Sequence, residues 1–151
     1  MRTVKNMLES KQKSFNYVEP DALVIDAINL MNSANLSYLI VMDGEQYKGI
    51  FSERDYTRNV ILKGRSSNST MVKEAMTIDL PIVDLSNTVE YCMNLMNAHK
   101  SRYLLAYDNQ KFSGVITIHD LLRQVIANKA EVFDSTITRS LLDNDEGGRI
   151  Y

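Results

Sequence analysis

The residues of this chain best suited to chemistry fall in one short pattern that occurs twice: Gly49-Ile50-Phe51-Ser52-Glu53-Arg54-Asp55 and Gly114-Val115-Ile116-Thr117-Ile118-His119-Asp120. A hydroxyl followed three residues later by an acid is a capping box, in which each side chain satisfies an orphan backbone N–H at a helix start. Met once, such a pair is most often only a cap. The same residues are also the parts of a nucleotide site. Unpaired N–H groups and the positive end of a helix dipole seat an anion beside the hydroxyl. A carboxylate one turn on can accept two hydrogen bonds from the vicinal diol of a ribose. Between hydroxyl and acid stands a permanent cation, Arg54, or a titratable ring, His119, within reach of a phosphate. Both readings stay open on these residues alone. The chain has no glycine-rich phosphate loop, so an anion would be held by a helix end and side chains. Arg54 is a permanent cation, whereas the His119 imidazole is a titratable group. Unequal sites are expected, the first favouring the more highly charged ligand.

Catalytic arrangements are harder to assemble. With one cysteine, Cys92, and two histidines, an intrachain disulfide and a cysteine-built metal cluster are excluded. No nucleophile–base pair, metal-ligand spacing or pair of catalytic carboxylates emerges, so no enzyme is expected. Cys92 falls inside an apolar helical pattern, where a thiol packs as a small hydrophobe. The run His99-Lys100-Ser101-Arg102 is basic, but it lacks a wider basic face or interleaved exposed aromatics, which argues against nucleic acid. Lys63 and Arg65 with the nearby serines form a second small basic patch that could reach a polyphosphate.

The elements that must position the two patterns are themselves duplicated. Residues 18–64 return without a gap at 83–129, with fourteen of 47 aligned positions identical, so one unit is written twice. A further echo, Val4-Lys5 against Val72-Lys73, lies three residues out of that register. In each unit a short strand, near Asn16-Tyr17-Val18 and Pro81-Ile82-Val83, leads to an amphipathic helix. Pro20-Asp21 and Ser86 are the expected caps, with apolar stripes Leu23, Ala27, Leu30, Met31 and Ala34, and Val89, Cys92, Met93 and Met96. Compact apolar runs at 38–42 and 103–107 read as strands, turned at Asp43-Gly44 and Asp108-Asn109 into strands at 47–52 and 112–117. Second helices follow at 53–63 and 118–129. Each unit is therefore β-α-β-β-α, an α/β (α+β) fold with the two repeats packed as a pseudo-twofold pair. The chain divides into a lead-in and first repeat (1–67), a linker and second repeat (68–130), and a tail (131–151) containing the polar stretch 143–148.

Composition sets the frame. At 151 residues, 44% apolar and 24% charged, the chain suits one well-buried domain or two intimately packed halves. A formal net charge of −2 gives no bulk attraction to nucleic acid or anionic membrane. No apolar run approaches membrane-spanning length and Met1 to Lys5 lead into no signal-peptide core, so a cytoplasmic protein is expected.

With these residues in place, the chain resembles the cystathionine-β-synthase (CBS) domain, which occurs in tandem pairs called Bateman modules. The doubled Gly-h-x-(Ser/Thr)-x-x-Asp, with h apolar, and the stretches Ser52 to Tyr56, Ile61 to Ser67 and Met76-Thr77 are similar to stand-alone single-module members of that family. The resemblance spans roughly residues 3 to 130. It implies a non-catalytic binder of adenosine-containing ligands (AMP, ADP or ATP, NAD(H) or S-adenosylmethionine) in the cleft between repeats, signalling energy or redox state to a target protein as a homodimer. It implies Asp55 and Asp120 on the ribose, Ser52 and Thr117 beside the sugar-phosphate, and Arg54, His119 and Arg102 toward phosphate. Adenine would lie against residues near the first strands, Tyr17 and Val83, and the start of the second. There Tyr38 and Tyr103 could stack on a base or fill the core. A ligand-free dimerisation scaffold is the competing reading, with no obligatory cofactor in either case.

Overall fold

The computed structural model describes residues 2–11, 16–127 and 140–141. Asn128 and Lys129 at the expected end of the last helix, and all of the 131–151 tail except Ser140 and Leu141, lie outside the described residues. The chain forms two compact units, residues 13–79 and residues 1–12 with 80–151. Each contains one three-stranded sheet.

In the first unit β1 (Tyr17–Val18) runs parallel to β2 (Tyr38–Asp43), which pairs antiparallel with β3 (Gln46–Ser52). The helix α2 (Val24–Ala34) makes the crossover that a parallel pair requires. The second unit repeats this with β4 (Ile82–Asp84), α4 (Val89–His99), β5 (Tyr103–Asp108) and β6 (Lys111–Thr117). The hairpin turns contain Gly44 and Asn109, both at positive φ, as tight two-residue connections demand. Even the register irregularities coincide, between Val41 and Met42 and between Ala106 and Tyr107.

Helix starts differ from the sequence expectation. Pro20-Asp21 does not cap α2: the N-cap is Leu23, with no side-chain bond. The orphan donors are met instead by the connector, Val24 N–H reaching Thr70 O at 2.8 Å and Ile25 N–H reaching Ser67 O at 2.9 Å. Asp21 pairs with Lys73 at 2.8 Å. Helix α4 is capped by Thr88, not Ser86, its hydroxyl accepting from Tyr91 N–H at 3.1 Å. The α2 stripe buries Val24, Ala27 and Met31, while Ala34 is exposed and Leu30 half-buried. The α4 stripe is buried as expected. After β3, α3 (Glu53–Tyr56) widens into a π-helical turn over Thr57–Ile61, closed by Leu62 N–H on Thr57 O at 3.0 Å, so the helix ends before Lys63. After β6, α5 (Ile118–Ala127) is regular.

The lead-in segments account for the displaced echo. The helix α1 (Val4–Ser10) places Val4 N–H on Asn87 O at 2.9 Å and Lys5 N–H on Leu85 O at 3.0 Å. In the other unit Val72 N–H meets Ala22 O at 2.8 Å and Lys73 N–H meets Pro20 O at 3.0 Å. Asn87 and Ala22, like Leu85 and Pro20, are repeat-equivalent. Each lead-in therefore docks on the repeat that it does not immediately precede. Val4 and Met7 are buried with Leu104 and Ile116, and Val72 and Ala75 with Leu39 and Phe51. Val4, Met7 and Val72 each contribute about 1.5–3 kcal/mol by this burial, and the Ala75 methyl about 0.8 kcal/mol. Leu141 is also buried in the second core, and Ser140 Oγ bonds Asn97 Oδ1 at 2.8 Å.

Candidate functional site

Both patterns sit where the last strand of a sheet turns into a helix, and both form the capping box. Ser52 Oγ accepts from Asp55 N–H at 3.2 Å, while Asp55 Oδ2 accepts from Ser52 N–H at 2.8 Å and from its hydroxyl at 3.0 Å. Thr117 and Asp120 exchange the same pair of backbone bonds, at 3.2 and 2.8 Å. Strand pairing then fixes the neighbours. Tyr38 lies opposite Ser52 and Tyr103 opposite Thr117, so the expected base-side aromatics do meet the expected sugar-side hydroxyls. Tyr38 is half-buried and Tyr103 buried.

Each carboxylate has a further partner that sequence reasoning missed. In the first unit Thr77 Oγ1 donates to Asp55 Oδ1 at 2.7 Å. The linker is held there by a two-way bridge, Ile50 N–H to Thr77 O at 2.9 Å and Thr77 N–H to Ile50 O at 2.8 Å. Gly49 permits the crossing, since a Cβ at that position would lie 2.8 Å from both Met76 Sδ and Thr77 O. In the second unit Lys11 Nζ donates to Asp120 Oδ2 at 2.9 Å and to Val115 O at 2.8 Å, and the Arg123 guanidinium pairs with Asp120 Oδ1. Leu8 of α1 packs over Gly114, where φ is 153° and a Cβ would approach Leu8 Cδ2 to 2.9 Å. The motif glycines are thus the places where the lead-ins pass. The only signal of this in the sequence was the Val4/Val72 echo, which marked the two segments as equivalent without saying what they touch.

The two acids consequently sit in different electrostatic surroundings. Asp55 is fully buried with a neutral hydroxyl on its free oxygen. Burial pushes its pKa up to about 6, against the opposing pull of the Thr77 and Ser52 bonds and of Arg58. Asp120 is equally enclosed but bridges two cations. Arg54 is half-buried and His119 exposed at the helix starts. Arg102 is brought to the start of α5, where its carbonyl accepts from Ile118 N–H at 2.9 Å, as Ser37 O accepts from Glu53 N–H at 3.1 Å. Tyr17 is exposed on β1, in register with Ile40. Val83 is packed in the core, and the exposed residue of β4 at the position equivalent to Tyr17 is Ile82.

Outside the junctions, Arg65 belongs to the connector's own structure. Through Nη1 it donates to the carbonyls of Asn59 at 3.2 Å and Glu74 at 2.8 Å. Cys92 is fully buried, and burial pushes its thiol up to about 12, far from a nucleophilic thiolate. Among the described residues no helix is long and apolar enough to cross a membrane.

Comparison with known proteins agrees with this doubled geometry. The chain is 32% identical over 138 residues to the CBS domain-containing protein CBSX3, mitochondrial, of Arabidopsis thaliana, covering 85% of this chain and 67% of that protein. It is 30% identical over 126 residues to the inosine-5'-monophosphate dehydrogenase of Methanocaldococcus jannaschii, 82% of this chain but 24% of that enzyme. Its fold matches a solved CBS-domain protein of Burkholderia ambifaria MC40-6 with a TM-score of 0.77 and 38% identity, covering 87% and 99% of the two chains. It also matches the fold of CBSX2, solved in complex with AMP, with a TM-score of 0.68 and 23% identity over 85% and 99%. The family profile described as CBS domain matches residues 10–61 and 72–127, each segment containing one of the strand-to-helix junctions and the helical turns after it, and the chain belongs to the CBS domain family.

Proposed function

We propose that this protein is a non-catalytic regulatory module that takes an adenosine-containing ligand at its strand-to-helix junctions and signals occupancy to a target protein, acting as a homodimer. The observation that carries the reading is the duplicated junction: a buried carboxylate beside a hydroxyl, with an aromatic across the strand pair, built identically in both units. The AMP complex of CBSX2, a protein of the same fold, supports adenine nucleotides as the ligand class. AMP, ADP and ATP come first, with NAD(H) and S-adenosylmethionine as candidates. A ribose hydroxyl would replace the Thr77 hydroxyl on Asp55 Oδ1 without change of charge. At Asp120 a diol would compete with Lys11 and Arg123. Such a ligand regulates only if it binds two states of the protein unequally. In this reading those states differ in whether the lead-in keeps its hold on the motif acid.

Thermal melts with AMP, ATP, NADH and S-adenosylmethionine test it. A ligand at a hundredfold excess over its Kd adds about 2.7 kcal/mol, a rise of roughly 5–10 °C for a chain of this size. A scaffold reading has one observation in its favour, that both carboxylates already hold donors from their own unit. It becomes the better reading if none of the four ligands shifts the melt and no adenosine compound leaves the denatured protein in mass spectrometry.

A further inference from the structure

Beside Asp120 the second unit has a cavity of about 360 Å³, lined by Met7, Ser10 and Lys11 of the lead-in and by Asp120, Arg123 and Gln124 of α5. Its walls carry an unbalanced set of hydrogen-bonding groups. Lys11 uses two of its three protons, on Val115 O and Asp120 Oδ2. Arg123 commits one nitrogen to Asp120, and its remaining N–H groups have no partner among the described residues. Ser10 is turned away, its hydroxyl donating to Met7 O at 2.9 Å. Gln124 is 9% exposed, and its Oε1 is buried with no hydrogen-bond partner among the described residues. An orphan of this kind marks a missing donor. Two cations against one carboxylate leave the wall with net positive charge.

We infer that this cavity is a subsite for a phosphate monoester of a polyol, with the phosphate held by Lys11 and Arg123 and a ligand hydroxyl donating to the Gln124 carbonyl. The inference rests on the nucleotide reading above and deepens it by naming the part of the ligand that this unit selects. The free N–H groups of the two cations match phosphate oxygens. The orphan carbonyl needs a donor, which a phosphate oxygen does not supply and a neighbouring sugar hydroxyl does. In the first unit the corresponding lead-in contact is the neutral hydroxyl of Thr77, so no equivalent cation reaches that acid from the lead-in. The second unit therefore has a cation from the lead-in that the first lacks, which offsets the advantage that Arg54 over His119 gives the first.

Calorimetric titration of the full chain with AMP, adenosine and ribose 5-phosphate tests the assignment. The variants are Arg123→Met, Gln124→Leu, Lys11→Met and Lys11→Arg, each checked for an unchanged far-UV spectrum. Losing one charge-assisted contact should weaken AMP and ribose 5-phosphate by about tenfold in Arg123→Met and Lys11→Met, with adenosine, which has no phosphate to lose and gains a less contested Asp120, not weakened, and with Lys11→Arg restoring much of the loss. Gln124→Leu should weaken all three. AMP binding that is undiminished in both Arg123→Met and Lys11→Met would overturn the subsite and leave the nucleotide reading intact. Ribose 5-phosphate binding without AMP binding would support the subsite and overturn the nucleotide reading. Wild-type protein that binds none of the three compounds removes both. Should Lys11→Met fail to fold, the more exposed Arg123 decides the question alone.

Discussion

At the scale of single residues, the two motif acids occupy the same place in the repeat and behave as different chemical groups. Asp55 has its ordinary value of 3.8 raised to about 6, chiefly by burial. Between those values the folded chain keeps a proton that the unfolded chain releases, so this residue makes stability fall as pH rises from about 4 to 6. Above about 6 its contribution is level, at a cost on the order of 3 kcal/mol relative to acid conditions. Urea unfolding of wild type and Asp55→Asn across pH 4–7 should show that segment in the wild type and lose it in the variant. An unchanged difference between the two across that range would contradict the assignment. Thr77→Val removes the donor that holds this pKa down, and should destabilise the protein by about 1.5–3 kcal/mol at pH 7, with Thr77→Ser restoring it. The hydroxyl–acid pairs were legible because cap partners stand three residues apart and need no tertiary information. Thr77 and Lys11 were not, because they reach their acids across 22 and 109 residues of chain.

At the scale of elements, strands were easier to read than helix ends. Tyr38 to Met42 and Tyr103 to Tyr107 announced β2 and β5 because a compact apolar run bounded by turn residues is too short for a helix of ordinary length. The start of α2 was misplaced because the connector's carbonyls, rather than a side chain, meet its orphan donors. A local pattern cannot report a remote acceptor. The widened turn after α3 likewise has no counterpart in α5, although Arg58, Val60 and Ile61 recur there as Arg123, Val125 and Ile126. The crossing of the linker over β3 is a property of the element and not of one side chain, and Gly49 tests it. Gly49→Ala drives a Cβ into Thr77 O, a backbone atom already fixed by its bridge to Ile50. Such overpacking should cost about 1–3 kcal/mol in chemical denaturation. A variant as stable as wild type would mean that the linker yields and is not held at the junction.

At the scale of the whole molecule, the repeats trade their lead-ins. Residues 2–11 complete the unit built from the second repeat, and the linker completes the unit built from the first. Deleting residues 1–11 should therefore reduce hydrogen-exchange protection in β4, β5, β6 and α5 far more than in β1, β2 and β3, although the deletion borders the first repeat in sequence. Equal loss in both units, or loss confined to the first, would contradict the exchange. Sequence alone determined that one β-α-β-β-α unit is written twice and that each copy ends its sheet in a capped helix, because periodicity, turn chemistry and capping are set by residues within a few positions of one another. Tertiary structure decided which partners complete the two acids. A lead-in brings a neutral hydroxyl to one, across 22 residues, and an ammonium to the other, across 109, and that difference in charge arises only when segments apart in sequence are packed together.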